Sequence, residues 1–170
     1  FVEMLAGVPL EFSPGDHFNY SVSTDVCGRL VEILSGEPFD EYLRRHIFEP
    51  LGMEDTAFFV PDEKIHRFAA NYHRVRRKLT LLDDPEKSEY RKPPRFLSGG
   101  GGLVSTAADY LRFARMLLGG GALDGTRILS PKTVAFTPAT PAATNAAAPA
   151  TARQAPGKGQ PRPGREKNAG

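Results

Sequence analysis

The stretch SGGGGLVSTAADY, residues 98–110, decides the fold, because it joins a run of glycines to the start of a helix. Thr106 followed by Asp109 is typical of a helix N-terminus whose first turn is capped by a hydroxyl. The pattern predicts a helix over about 106–118, with Asp109 facing water and glycines 119–121 ending it. The predicted buried face consists of Ala107, Leu111, Ala114 and Leu118.

Upstream of this stretch, the sequence predicts a helix over about 23–35. Ser23 or Thr24 can cap its N-terminus, and Gly36 stands where a glycine commonly ends a helix. Asp25 is expected on the wet face, within reach of other charged side chains. The predicted buried face consists of Val26, Cys27, Leu30, Val31 and Leu34.

A second helix is predicted over about 38–48, because Pro38 suits a first helical turn. Ion pairs are expected on its wet face between residues four apart, namely Asp40 with Arg44 and Glu41 with Arg45. Its predicted inward side chains are Phe39, Tyr42, Leu43 and Ile47.

Residues 66–83 alternate loosely between apolar and polar side chains, which predicts a β-hairpin. Its centre, RVRRK at 74–78, is read as a solvated turn, and a nucleic-acid patch is the alternative. Residues 84–98 carry three prolines and are predicted to form a loop.

The last 34 residues, 137–170, differ in composition from the rest of the chain. They contain 10 Ala and 6 Pro and no Val, Ile, Leu, Met, Phe, Tyr or Cys, so we expect a disordered tail. The tail carries a net charge of +4, which leaves −2 for residues 1–136 and argues against a nucleic-acid partner. No apolar run is long enough to cross a membrane. A single cysteine excludes an internal disulfide and a zinc site built from cysteines.

The residues alone show little catalytic chemistry. No serine is followed three positions later by lysine, and no Gly-x-Ser-x-Gly elbow is present. Lys132-Thr133 is followed by Val134 and therefore does not form a Lys-Thr-Gly motif. The four histidines show no metal-ligand spacing, so no metal site is expected.

Four longer segments carry more information together than any of them does alone. They are FSPG at 12–15 with FNYSVSTDV at 18–26, LSGEPFDEYL at 34–43, IFEPLGMEDT at 47–56, and SGGGGLVSTAADY at 98–110. In this order and spacing the chain resembles the serine β-lactamase-related family, which includes class C β-lactamases, D-alanyl-D-alanine carboxypeptidases and the β-lactamase-like (family VIII) esterases. The resemblance covers about residues 1–136.

By this resemblance Tyr20 is the tyrosine of the family's Tyr-x-Asn motif, and its implied catalytic role is proton relay to and from a nucleophilic serine and the leaving group. A free phenol has a pKa of about 10, so nearby ammonium groups must stabilise the phenolate. The family supplies them from the Ser-x-x-Lys lysine, which this chain lacks. The third motif position is Val22 instead of Asn, which resembles the esterase branch.

The resemblance also places Ser98, Gly99 and Gly100 near the active-site cleft, as candidate substrate-binding residues. The alternative for this stretch is tight backbone packing next to a helix cap. The implied fold is α+β and β-lactamase/penicillin-binding-protein-like. Residues 1–136 would form a partial hydrolase domain, mainly the helical subdomain with a short hairpin.

The implied function is a serine hydrolase that acts on small ester, amide or peptidoglycan-like substrates through an acyl-enzyme, without a metal or organic cofactor. We expect the chain to be a piece of a longer protein, because helix-like sequence begins at Phe1 without a methionine. Since Ser-x-x-Lys and the third motif are both missing, the isolated chain is expected to be inactive. The alternatives are a non-catalytic homologue that binds peptidoglycan or peptides, and a truncated product without function. The sequence assigns no compartment.

Overall fold

The computed structural model describes residues 1–136, in which helices are combined with two short β-hairpins. The α-helices are α1 (Val2–Ala6), α2 (Ser23–Ser35), α3 (Phe39–Leu43), α4 (Glu49–Leu51) and α5 (Ala107–Leu118), with a last helical segment at 131–136. The strands are β1 (Asn71–Val75), β2 (Lys78–Asp83), β3 (Ala122–Leu123) and β4 (Thr126–Arg127). Short 3-10 helices cover Asp62–Arg67 and Glu89–Arg91.

This combination agrees with the predicted α+β class. The predicted tail, 137–170, lies outside the described residues. Within 1–136, no helix has the length and apolar character needed to cross a lipid bilayer.

Helix α2 forms where the sequence predicted it, and Gly36 ends it with a left-handed φ of 75°. The expected caps were wrong, because Val22 occupies the N-cap position and no side chain caps the helix. The predicted buried face was also wrong in part. Cys27 and Leu34 are exposed and Leu30 is about half-exposed, whereas Gly28 is buried.

Gly28 marks the face of α2 that lies inward. A Cβ at this position would stand 3.4 Å from the Gly99 backbone and from the Phe39 ring, which is ordinary contact. The helix therefore packs within residues 1–136 through its smallest residue, and the polypeptide backbone of the glycine run lies against it.

The predicted second helix is confirmed and ends three residues later than expected. The chain stays helical from Phe39 to Leu51, because α3 continues through a π-helical turn at Arg44–Phe48 into α4. The predicted i,i+4 ion pairs were wrong. Arg44 contacts Glu41 and Glu49 instead, and the latter pair is spaced i,i+5, as the wider π-turn allows.

Helix α5 was predicted at the right place with the wrong face inward. Leu111 is 58% exposed and Leu118 is 90% exposed, whereas Met116 is fully buried. The inward positions follow an i, i+4, i+7, i+8 pattern, which is one helical face. They are Asp109, Phe113, Met116 and Leu117.

The apolar core lies between this face of α5 and the long helix that ends in α4. Its buried members are Phe48, Leu51, Met53, Met116 and Leu123. Partly buried side chains surround them, namely Leu43, Ile47, Phe113, Leu117, Ile128 and Leu129. The β3–β4 hairpin closes the core, since it supplies Leu123.

The Asp109 carboxyl joins α5 to the segment before the first hairpin. Its Oδ2 accepts hydrogen bonds from the Asp55 backbone N–H at 2.8 Å and from the Thr56 hydroxyl at 2.8 Å. The Thr56 and Ser105 hydroxyls share a third hydrogen bond of 2.8 Å. The Asp109 backbone N–H donates to the Thr106 hydroxyl at 3.2 Å, which confirms the predicted cap.

The predicted hairpin is confirmed as β1 and β2, which pair antiparallel around a turn at Arg76 and Arg77. The register shifts between Asn71 and Tyr72, which marks a bulge. All of β1 and nearly all of β2 are exposed.

We expect Asp109→Ala to destabilise the chain by about 3 kcal/mol, because two donors near the buried carboxyl would lose their acceptor. Chemical denaturation followed by circular dichroism measures this loss. Asp62→Ala is the matched control, since Asp62 pairs with Arg91 on the surface, and we expect a loss of about 1 kcal/mol or less. Equal losses in the two variants would contradict the role of Asp109.

Candidate active site

Tyr20 lies in the segment between α1 and α2, directly before the N-cap region of α2. Its side chain is 88% exposed. Nearby, the Asn19 amide donates to the Glu11 carboxylate at 2.5 Å, which ties this segment to the residues after α1. Within residues 1–136, no side chain forms a hydrogen bond with the Tyr20 hydroxyl, so the phenol is open to an incoming group.

The glycine run lies against the first turns of α2. The Ser98 hydroxyl donates to Asp25 Oδ1 at 2.5 Å, and the Gly100 backbone N–H donates to the same oxygen at 3.3 Å. The Gly100 N–H also reaches the Ser98 hydroxyl oxygen at 3.1 Å. The structure thus brings the Tyr20 segment and the glycine run to neighbouring parts of the same helix.

Gly99 stands at the closest approach. A Cβ on this residue would lie 2.1 Å from the Thr24 carbonyl oxygen, a distance that no real side chain tolerates, and 3.1 Å from the Gly28 nitrogen, which is also tight. Gly100 is also tight, since its Cβ would lie 2.8 Å from the Thr24 hydroxyl. Glycine is therefore required at Gly99 by backbone contact.

These contacts determine what the three candidate substrate-binding residues do within the described part of the chain. Ser98, Gly99 and Gly100 hold the glycine run on α2, which is the packing alternative raised by the sequence. Their role toward a substrate stays a prediction.

Asp25 is the residue of this region that sequence reasoning misplaced. It was expected on the wet face beside Arg29, but it is partly buried and serves as the acceptor for the glycine run. Arg29 pairs with Glu32 at 2.7 Å, and Glu32 also accepts from the Phe39 backbone N–H at 3.2 Å. No local signal could reveal the Asp25 contact, since its partner Ser98 lies 73 residues away.

A cavity of about 380 Å³ adjoins this contact, between α1, α2 and the segment before the glycine run. Both signs of charge line it, together with two aromatic rings. Among its lining residues are Asp25, Arg29, Glu32, Arg95 and Phe96.

A second cavity of about 410 Å³ lies on another face, between the segment 54–68 and the start of α5. Asp55 at its wall contacts Lys64 and Arg67, each at 2.7 Å. The hydrogen bonds from Arg67 and Lys64 lower the pKa of the Asp55 carboxyl to about 2. None of the sequence-predicted site residues lines this cavity. In the described part of the chain, no group of three His, Cys, Asp or Glu residues could hold a metal ion.

Gly99→Ala tests the backbone contact, and Gly101→Ala is its control, because a Cβ at Gly101 would meet open space. We expect Gly99→Ala to lower the thermal unfolding midpoint, since the loop must move off α2, and Gly101→Ala to leave it nearly unchanged. Differential scanning calorimetry of both variants measures the midpoints. A Gly99→Ala protein as stable as its control would show that the contact does not form.

Comparison with known proteins identifies the family. The sequence model of the Beta-lactamase family matches residues 1–164. The match continues past Phe136, where we expected family-like sequence to end, and the boundary at that residue stays a prediction. Residues 137–164 of the match lie outside the described part of the chain.

Two relatives and one solved structure illustrate the similarity. Protein Rv1367c of Mycobacterium tuberculosis (strain ATCC 25618 / H37Rv) is 42% identical over 130 residues, which are 76% of this chain and 32% of the relative. Esterase EstB of Burkholderia gladioli is 32% identical over 123 residues, covering 64% of this chain and 31% of EstB. EstCE1, a hydrolase with promiscuous acyltransferase activity, superposes with a TM-score of 0.64 at 28% identity, covering 79% of this chain and 38% of EstCE1.

The chain therefore spans about a third of the length of these relatives. The superposition on EstCE1 confirms the predicted fold, with helices and a short hairpin from a larger architecture. The family match covers nearly the whole chain. On these grounds, the chain belongs to the β-lactamase family.

Proposed function

We propose that this chain forms the helical part of a serine hydrolase that cleaves ester or amide substrates through an acyl-enzyme, with Tyr20 as the proton relay. One observation carries the proposal. Tyr20 stands two residues before the N-cap of α2, and Asp25 in the first turn of α2 binds Ser98 and the Gly100 N–H, so the glycine run is held against the helix that follows Tyr20. We propose that this contact positions Tyr20 and a bound substrate relative to each other, because proton transfer requires both groups to be held in a fixed geometry.

The proposed chemistry follows from the exposure of the phenol. Tyr20 would accept the proton of a nucleophilic serine as the acyl-enzyme forms and return it to the leaving oxygen or nitrogen. These 170 residues contain no Ser-x-x-Lys, so the proposed mechanism requires the serine and its lysine from elsewhere. A phenolate needs that lysine or another cation beside it at neutral pH.

Ester substrates are favoured over β-lactams for two reasons. Val22 stands where the Tyr-x-Asn motif offers an amide, and valine cannot donate a hydrogen bond to a substrate carbonyl. Among the relatives, EstB is named an esterase, and EstCE1 is described as a hydrolase with acyltransferase activity.

We expect the isolated 170-residue chain to show no hydrolysis of a chromogenic ester such as p-nitrophenyl butyrate, because it lacks the nucleophile motif. Absorbance assays of the chain and of Tyr20→Phe should give the same background rate. Turnover by the chain that Tyr20→Phe abolishes would contradict this expectation.

A chimera tests the role of Tyr20 where a nucleophile is present. Residues 1–136 of this chain replace the matched segment of EstB, and p-nitrophenyl butyrate hydrolysis is measured. We expect Tyr20→Phe to lower kcat of the chimera by about 100-fold or more, with KM little changed, because general acid–base catalysis is removed.

Tyr110→Phe is the matched control for the chimera, since Tyr110 is a 68% exposed tyrosine on α5, and its kcat should stay unchanged. Circular dichroism establishes that each chimera is folded. A folded chimera without activity, or one in which Tyr20→Phe keeps its rate, would overturn the proposal.

A further inference from the structure

The β1–β2 hairpin is the most exposed element among residues 1–136. Every residue of β1 is exposed, and in β2 only Asp83 is partly covered. The sheet has two strands, so the outer edges of both are unpaired within the described residues. A two-stranded hairpin that buries neither face gains little stability from its own packing. Its sequence is therefore free to serve contacts outside the chain.

One face of this hairpin is apolar. Tyr72 pairs directly with Leu81, and Arg74 pairs with Leu79, so these four side chains lie on the same face. The exposed fractions of Tyr72, Leu79 and Leu81 lie between 47% and 67%. We call these three residues the hairpin face.

The two residues at the tip of the hairpin are unfavourable for the backbone conformation of the turn. Arg76 and Arg77 both have positive φ, 47° and 71°. A two-residue turn with two positive φ angles favours Asn-Gly, whereas a long side chain is strained there. The turn thus carries two positive charges at positions where its geometry favours other residues.

The charge at the tip is not used inside the described part of the chain. Arg74, Arg76, Arg77 and Lys78 form no ion pair within residues 1–136, whereas Arg44, Arg67 and Arg91 on other surfaces do. The rest of residues 1–136 holds 13 basic and 19 acidic residues. The hairpin tip is thus a cluster of positive charge on a domain whose remaining residues have a net negative charge.

We propose that the β1–β2 hairpin binds the surface of an anionic phospholipid membrane. The four cations at the tip contact lipid phosphates, and the hairpin face enters the boundary between headgroups and acyl chains. This combination fits lipid better than nucleic acid, because single-stranded nucleic acid binds by stacking on aromatic rings and the hairpin face is mainly leucine. The proposal does not depend on the proposed hydrolase function.

Vesicle flotation of the full 170-residue chain tests the proposal. We expect the chain to float with vesicles that mix phosphatidylglycerol into phosphatidylcholine, and to stay behind with phosphatidylcholine alone. Binding should weaken as salt is added, because salt screens the attraction between exposed charges.

Arg76→Asn combined with Arg77→Gly removes two charges and gives the turn its preferred residues, so the hairpin stays folded. Each basic residue near an anionic surface contributes about fivefold in affinity, so we expect a loss of roughly 30-fold. The control combines Arg95→Gln with Lys132→Gln, which removes the same charge from exposed positions outside the hairpin. The control should lose much less affinity.

Leu79→Thr combined with Leu81→Thr tests the apolar contact separately. Threonine keeps the strand preference, so we expect the fold to persist while affinity for the anionic vesicles falls. Circular dichroism of each variant monitors the fold.

Three results would overturn the proposal. The first is equal binding to neutral and anionic vesicles, or binding to neither. The second is an equal loss in the tip variant and in the charge-matched control, which would mean that net charge alone drives binding. The third is tight binding to a single-stranded oligonucleotide without binding to vesicles, which would assign the tip to nucleic acid.

Discussion

The carboxyl group of Asp109 is the interaction on which the described part of the chain depends. It is buried, and its oxygen is satisfied only where the Asp55 N–H and the Thr56 hydroxyl come to it. The segment after α4 must therefore pass the start of α5. The same passage pairs Ala57 with Val104, which positions the residues between the glycine run and the start of α5.

Elements with local signals could be predicted from the sequence. Gly36 ends α2 in the left-handed conformation, Thr106 caps α5, and the basic centre of the hairpin forms its turn. The β3–β4 hairpin was missed although a signal was present, since Asp124-Gly125 is a favoured two-residue turn and both residues have positive φ.

Faces of helices and partners across the chain could not be predicted. Asp109 marks the inward face of α5, and a polar residue in that position hides the face from any apolar pattern. The contact of Asp25 could not be predicted either, because its partner Ser98 is distant in sequence. Of the site, the candidate residues come from motif similarity and stay predictions, whereas the contact between Asp25 and the glycine run required three-dimensional structure.

The contact between Gly99 and the Thr24 carbonyl also bears on how this region can change during evolution. It joins backbone to backbone, so it limits the residue at position 99 whatever side chain stands at position 24. The glycine run and α2 consequently constrain each other, and a change in the path of one requires a change in the other. A helix from another protein would fit against this glycine run only if its backbone left the same space at residue 99.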